Sequence, residues 1–169
     1  VGTLIADDPA LTVRHVEGKH PTRVVIDPNG RAPEDVQILT DGMAPFVFIT
    51  KPGVSTPKGA EQIELEPGED GWFTPDAIVA ALRKHGLSRI LVEGGADTLA
   101  NFLDAQAIDL LHVLVAPIIL GSGKAGFSLA PIDQLDEAIR PRTTVHLFND
   151  GDVLFTCDLR GGRREGKAA

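Results

Sequence analysis

Glu93 comes after the apolar residues Ile90, Leu91 and Val92, and precedes Gly94, Gly95 and a segment of helical spacing. A carboxylate placed there suits a definite chemistry. It can stabilise positive charge that develops on a neighbouring substrate. The two glycines would let an anionic ligand approach the backbone, where a helix start offers free N–H groups and a positive dipole end. In open α/β sheets ligands collect beyond the carboxyl ends of strands, and this stretch reads as such an end. The same residues serve equally well as a plain glycine-permitted turn that holds an acid. The spacing is not G-x-G-x-x-G, so the dinucleotide fingerprint does not apply.

A second set lies in "GTLIADDPALTVR". Arg14 carries a guanidinium fork that matches phosphate oxygens. Asp7 and Asp8 sit before Pro9, and the commonest use of such aspartates is in caps and turns. A third set, "GSGKAGF" at 121–127, pairs glycines with Lys124 but lacks the G-x-x-x-x-G-K-[ST] spacing, so a nucleoside-triphosphatase reading fails. His15, His20, His85, His112 and His146 show no metal-ligand spacing, and no metal is expected. G-x-S-x-G is absent. Cys157 falls in a strand-like run and is most simply a core residue.

These groups must be positioned by elements that the sequence also outlines. Val1, Gly2 and Thr3 read as the end of a strand already under way, without an initiator Met, which implies residues before Val1. Pro9 disfavours a right-handed helical Asp8, so a turn is expected there. Residues 15–22 read as a loop. "RVVID" (23–27), closed by Pro28-Asn29-Gly30, and "FVFIT" (46–50), closed by "KPG", read as buried strands. "EQIELE" (61–66) alternates as a strand with one wet face would. "TPDAIVAALRKHG" carries a full set of helix signals: Thr74 as cap, Pro75 at the first position, Asp76 in the first turn, and Gly86 after the end. Ile78, Val79 and Leu82 share one face. "SRILVEGG" (88–95) reads as a strand. "ADTLANFLDAQ" reads as a helix with Leu99, Phe102 and Leu103 inward, and "DLLHVLVAPIIL" as a long core strand. "TTVHLFNDGDVLFTCDL" reads as a hairpin turning at residues 149–152. The order predicts an α/β domain with a mostly parallel sheet flanked by helices and an antiparallel C-terminal hairpin.

A chain of 169 residues suits one domain, and no linker divides it. Residues 1–160 are expected to form that domain, and 161–169 a polar tail. A net charge of −8 argues against nucleic acid as a partner. A polyanionic cofactor stays possible, because a local site can oppose the global charge. A single cysteine excludes an internal disulfide and fits a reducing, cytoplasmic setting. No apolar run has the length of a membrane-spanning helix, so no membrane partner is expected.

Four blocks in order, "VGTLIADDPALTVR", "RVVIDPNGR", "ILVEGGADTLANFL" and "IDLLHVLVAPIILGSG", resemble the reductase domain of bacterial riboflavin biosynthesis. In that pathway the domain is a 5-amino-6-(5-phosphoribosylamino)uracil reductase, often fused behind a deaminase. The resemblance implies a dihydrofolate-reductase-like fold, NADPH as cofactor, and a small phosphoribosyl-pyrimidine substrate reduced by hydride transfer to ribose C1′. It also implies a homodimer.

The resemblance assigns roles by position. Thr3 and Asp7 would contact NADPH, and Leu11 and Arg14 would hold the substrate, with Arg14 near its phosphate. Pro28 falls at a cofactor contact where many members have a serine, so a hydroxyl contact is lost. Glu93 would be the substrate-side acid near the reacting carbon. With Asp7 it forms the catalytic pair of this reading. Gly95, Ala96, Asp97, Thr98, Leu99, Ala100 and Asn101 would bind the cofactor phosphates, and Arg31 is a candidate for the 2′-phosphate.

The family's first strand, with its "SLDG"-like motif, and the helix after it have no counterpart in this stretch. The deaminase zinc motifs are also absent from it. Two alternatives stand beside this reading. One is a related reductase of another pterin or pyrimidine. The other is a non-catalytic nucleotide-binding or scaffold domain.

Overall fold

The structure is a computed structural model that describes residues 1–123 and 126–161. The chain divides into two compact units, Val1–Gly95 and a second that begins at Ala96. The boundary falls directly after the Gly94-Gly95 pair.

The first unit is built on a parallel sheet. Strands β1 (Arg23–Ile26), β2 (Phe46–Thr50) and β3 (Glu61–Glu64) lie in that order, with Val25 opposite Phe48 and Ile49 opposite Ile63. Strand β2 is central, and Val47, Phe48, Ile49 and Thr50 are all buried. A strand covered on both faces reads as a continuous apolar run, which is why "FVFIT" is legible as one. Strand β3 alternates less cleanly than expected: both ends are exposed, with Gln62 and Ile63 half-buried between them.

Three helices accompany the sheet. Helix α1 (Gly2–Asp7) replaces the expected strand end at Val1, Gly2 and Thr3. Its cause is local. The Ile5 N–H donates to the Val1 carbonyl and the Asp8 N–H to that of Leu4. This turns Leu4 into a core made with Val25, Val36, Ile38 and Phe48. The expected turn at Asp8 is present, as a left-handed residue at φ 40°. Helix α2 (Gln37–Thr40) is a single turn that carries Ile38 into the same core. Helix α3 (Pro75–Lys84) starts and stops as its sequence signals require. Thr74 Oγ1 accepts the Ala77 N–H at 3.2 Å, and Gly86 is left-handed at φ 81°. Ile78 and Leu82 are buried and Val79 half-buried.

The expected strand over 88–95 does not form. No ladder pair includes these residues, and Leu91 is 77% exposed. An apolar run becomes a strand only where a sheet edge receives its N–H and C=O groups, and no described strand does so here.

In the second unit, helix α4 (Ala96–Asp104) buries Ala100, Phe102 and Leu103, while Leu99 is half-buried. Strands β4 (Leu110–Val115), β5 (Arg142–Leu147) and β6 (Val153–Asp158) form an antiparallel sheet in the order β4-β6-β5. The hairpin turns where expected: residues 148–152, which include 149–152, join β5 to β6, with Gly151 at φ 92°. The antiparallel part is therefore a three-stranded sheet of its own.

The expected long core strand is corrected in two respects. It stops at Val115, two residues before Pro117, which has no N–H for a ladder. It is also largely exposed: Leu114 lies in the open, and Ile119 beyond it is 100% exposed. Cys157 is half-buried in β6, not a core residue, and its Sγ accepts from the Thr143 hydroxyl at 3.7 Å. Lys124 and Ala125 of the "GSGKAGF" stretch, and residues 162–169 of the tail, lie outside the described residues. No helix among the described residues is long and apolar enough to cross a membrane.

Candidate active site

Thr3 and Asp7 sit four residues apart on α1, so they share one face of the helix, and both are exposed. Beyond α1 the chain bends through unusual backbone. Asp8, Leu11 and His15 all have positive φ, at 40°, 49° and 65°. For a bulky residue such as Leu11 this conformation is uncommon and needs support from its surroundings.

The support is visible. Gln37 donates to Asp8 through both its backbone and its side chain. Arg23 Nη1 donates to the Ala10 carbonyl at 3.3 Å. The Val13 N–H donates to His20 Nδ1 at 3.1 Å, which requires that nitrogen to be unprotonated. The outcome is a braced loop with Leu11 half-buried and Arg14 exposed. A phosphate could reach the Arg14 guanidinium from solvent.

Arg23 plays a part that the sequence does not announce. Its side chain is fully buried and pairs with Asp41 at 2.6 Å, while Nη2 donates to the Ala44 carbonyl at 2.7 Å. Fixed by that ion pair, it ties the loop at Ala10 to residues 41–44. The guanidinium beside Asp41, together with the Met43 N–H, holds the Asp41 carboxyl below the usual carboxylate range. The one available signal is a charged residue opening a β-branched run; its partner is 18 residues away.

Pro28 is buried two residues past the end of β1. Asp27 beside it is also buried, and its Oδ2 accepts the Ala32 N–H at 2.8 Å. This bond closes the 28–31 turn and leaves Arg31 exposed. Glu93 is exposed in the irregular segment, as are Gly94 and Gly95.

In the second unit, Ala96 and Thr98 are half-buried, while Asp97 and Asn101 are exposed. Ala100 is a core residue, so its side chain is not available to a ligand. A Cβ built on Gly95 would meet no atom within 4 Å, as at other exposed glycines such as Gly53 and Gly86. Asp97 in the first turn of α4 would oppose an anion there in sign.

The family model described as the RibD C-terminal domain matches residues 1–151. The chain is 35% identical over 128 residues to the riboflavin biosynthesis protein RibD of Bacillus amyloliquefaciens, an alignment that covers 71% of this chain and 34% of that protein. It is 33% identical over 153 residues to the 2,5-diamino-6-ribosylamino-4(3H)-pyrimidinone 5′-phosphate reductase of Methanothermobacter thermautotrophicus, covering 83% of this chain and 68% of that protein. The chain thus spans about a third of the Bacillus relative's length. Among solved structures, the deaminase/5-amino-6-(5-phosphoribosylamino)uracil reductase of Thermotoga maritima superposes with a TM-score of 0.75 at 23% identity, over 94% of this chain and 43% of that one. That likeness shows the fold: parallel strands first, antiparallel sheet last. With a family match across 151 of 169 residues, the chain belongs to the RibD C-terminal domain family, the pyrimidine reductases of riboflavin biosynthesis.

Proposed function

We propose that this protein is an NADPH-dependent reductase that converts 5-amino-6-(5-phosphoribosylamino)uracil to its ribitylamino product. The family match over residues 1–151 carries the reading, and the braced loop ending at Arg14 supports it. The whole of residues 1–160 would serve as one reductase domain in a cytoplasmic homodimer.

NADPH, when bound, supplies the hydride that reaches ribose C1′ of the opened, imine form of the substrate. The chain's own groups do the rest by position and charge. Arg14 anchors the substrate phosphate, and Leu11 packs against the substrate beside it. Glu93 orients the sugar or balances positive charge on the imine, which requires its ionised form. Thr3 would hold the cofactor, and Asp7 would hold the cofactor or a ribose hydroxyl. Pro28 offers only packing. Of residues 95–101, those at the start of α4, Gly95 to Thr98, have N–H groups outside the helix ladder, and these would take the cofactor phosphates.

The archaeal relative's name favours a second substrate, one with a 2-amino group in place of the uracil 2-oxygen. A single assay separates the two. NADPH oxidation by the full-length protein is measured with each pyrimidine, in wild type and in Arg14→Ala. Oxidation is expected with the uracil. Loss of a charge-assisted phosphate contact should raise KM at least about tenfold. Turnover of the diamino compound alone moves the substrate assignment. Oxidation with neither removes the reading and favours a binding or scaffold role.

A further inference from the structure

Asp8 and Gln37 lie 29 positions apart and are joined by three hydrogen bonds. The Gln37 N–H donates to Asp8 Oδ1 at 2.8 Å. Gln37 Nε2 donates to the Asp8 carbonyl at 2.8 Å and to Asp8 Oδ2 at 3.3 Å. Each partner sits where a helix begins or ends. Asp8 closes α1 in a left-handed conformation, and Gln37 opens α2 directly after Val36, which has no side-chain cap to offer. The Asp8 carboxylate therefore caps α2 from outside it, and Gln37 in return fixes the backbone of Asp8.

The loop beyond Asp8 gives the clasp its purpose. Leu11 and His15 also have positive φ. Side-chain-bearing residues keep such conformations only where the surroundings over-determine them. Arg23 at Ala10 and His20 at Val13 brace the loop further along, and the clasp braces its start. Without the clasp the turn at Asp8 can relax toward the extended backbone that Pro9 favours for the residue before it. Leu11 and Arg14 would then sample many arrangements.

We propose that the Asp8–Gln37 clasp is a positioning device for the substrate phosphate: it pre-sets the turn from which Leu11 and Arg14 are presented. The inference rests on the substrate reading under the proposed function. Neither residue touches substrate in that reading, so both act through Arg14 and Leu11. An anchor already in place loses less freedom on binding, so the effect should appear in KM and not in the chemical step.

The test uses the full-length protein with Gln37→Ala, Gln37→Glu and Asp8→Asn. Gln37 is exposed, so its replacement leaves the core intact. Gln37→Ala should raise the substrate KM about three- to tenfold, with kcat and NADPH affinity within about twofold. Gln37→Glu should raise KM further, because it sets a second carboxylate against Asp8. Asp8→Asn should stay near wild type, since asparagine tolerates the left-handed region and keeps an acceptor for the Gln37 N–H. Amide hydrogen exchange without ligand provides a readout free of activity: amides of Asp8 and residues 10–14 should exchange faster in Gln37→Ala, with those of β2 unchanged.

Unchanged exchange overturns the clasp as a brace. Faster exchange with unchanged KM overturns its role in substrate positioning. Parallel losses in kcat, NADPH affinity and β2 protection show a general folding role and overturn it too. A wild-type protein inert toward phosphoribosyl pyrimidines defeats the substrate reading itself, and with it the purpose assigned to the clasp, whatever exchange shows.

Discussion

Glu93 is the residue on which the proposed chemistry depends most, and it is well placed for a clean test. It is exposed and lies outside any helix or strand, so removing its charge leaves packing alone. If its carboxylate balances charge on the imine, Glu93→Gln at saturating NADPH should lower turnover about a hundredfold, the scale seen when one preorganised electrostatic group is lost. The thermal midpoint should not move. Rates near wild type would remove Glu93 from the mechanism. At this scale the sequence is legible where a residue acts locally and opaque where it acts at a distance. Asp8 reads as a turn former from its neighbour Pro9, and it is one, yet its partner Gln37 lies far along the chain. Arg23 opens a β-branched run, and nothing nearby in the sequence shows that Asp41 will neutralise it in the interior. Local spacing carries φ preferences and cap chemistry. It does not carry tertiary pairing.

The elements divide along the same line. Helix α3 is readable end to end because each of its signals lies within a turn of the place where it acts: Thr74 against Ala77, Asp76 in the first turn, Gly86 past the last. The hairpin β5–β6 is readable because its turn is contiguous with both strands. The 88–95 run misleads because a strand exists through its partner, and apolar composition does not say whether one is present. The opening residues mislead for a related reason. Val1 and Leu4 fit a helical face as well as Thr3 and Ile5 fit an extended one, and burial of Leu4 decides between them. A cap that acts locally should also have a local cost. Thr74→Ala should destabilise the protein by about 1 kcal/mol, and Thr74→Ser by much less, since its hydroxyl oxygen still accepts the Ala77 N–H. Urea unfolding checks this: the midpoint should fall in the alanine variant while the slope stays constant. An alanine midpoint equal to wild type would mean that packing of Ile78 and Leu82 alone holds the helix start.

For the whole molecule, acid is the discriminating variable. The chain is strongly acidic at −8, yet each unit holds an aspartate whose proton affinity is lowered by arginine. In the first unit the cause at Asp41 is chiefly its hydrogen bond from Arg23. In the second, the Arg160 side chain and backbone N–H hold Asp158 well below the usual range, with Arg142 adding charge. In the unfolded chain both carboxyls titrate near the ordinary aspartate value of about 3.9. The folded protein therefore binds fewer protons than the unfolded one in the window below that value. The stabilisation is complete above it and is lost as pH falls through the lower folded values. Asp41→Asn and Asp158→Asn should each be less stable than wild type at neutral pH, and each gap should close as pH drops below about 4. Salt separates the two. Arg142 and Arg160 are exposed, so high ionic strength should shrink the Asp158 gap even at neutral pH. Arg23 is buried, and an asparagine at position 41 leaves its charge without a counter-ion whatever the salt. Urea midpoints measured over pH at low and high salt test both claims. A pH-independent gap would show that the lost hydrogen bond matters and the charge does not. A salt-sensitive Asp41 gap would show that solvent reaches Arg23.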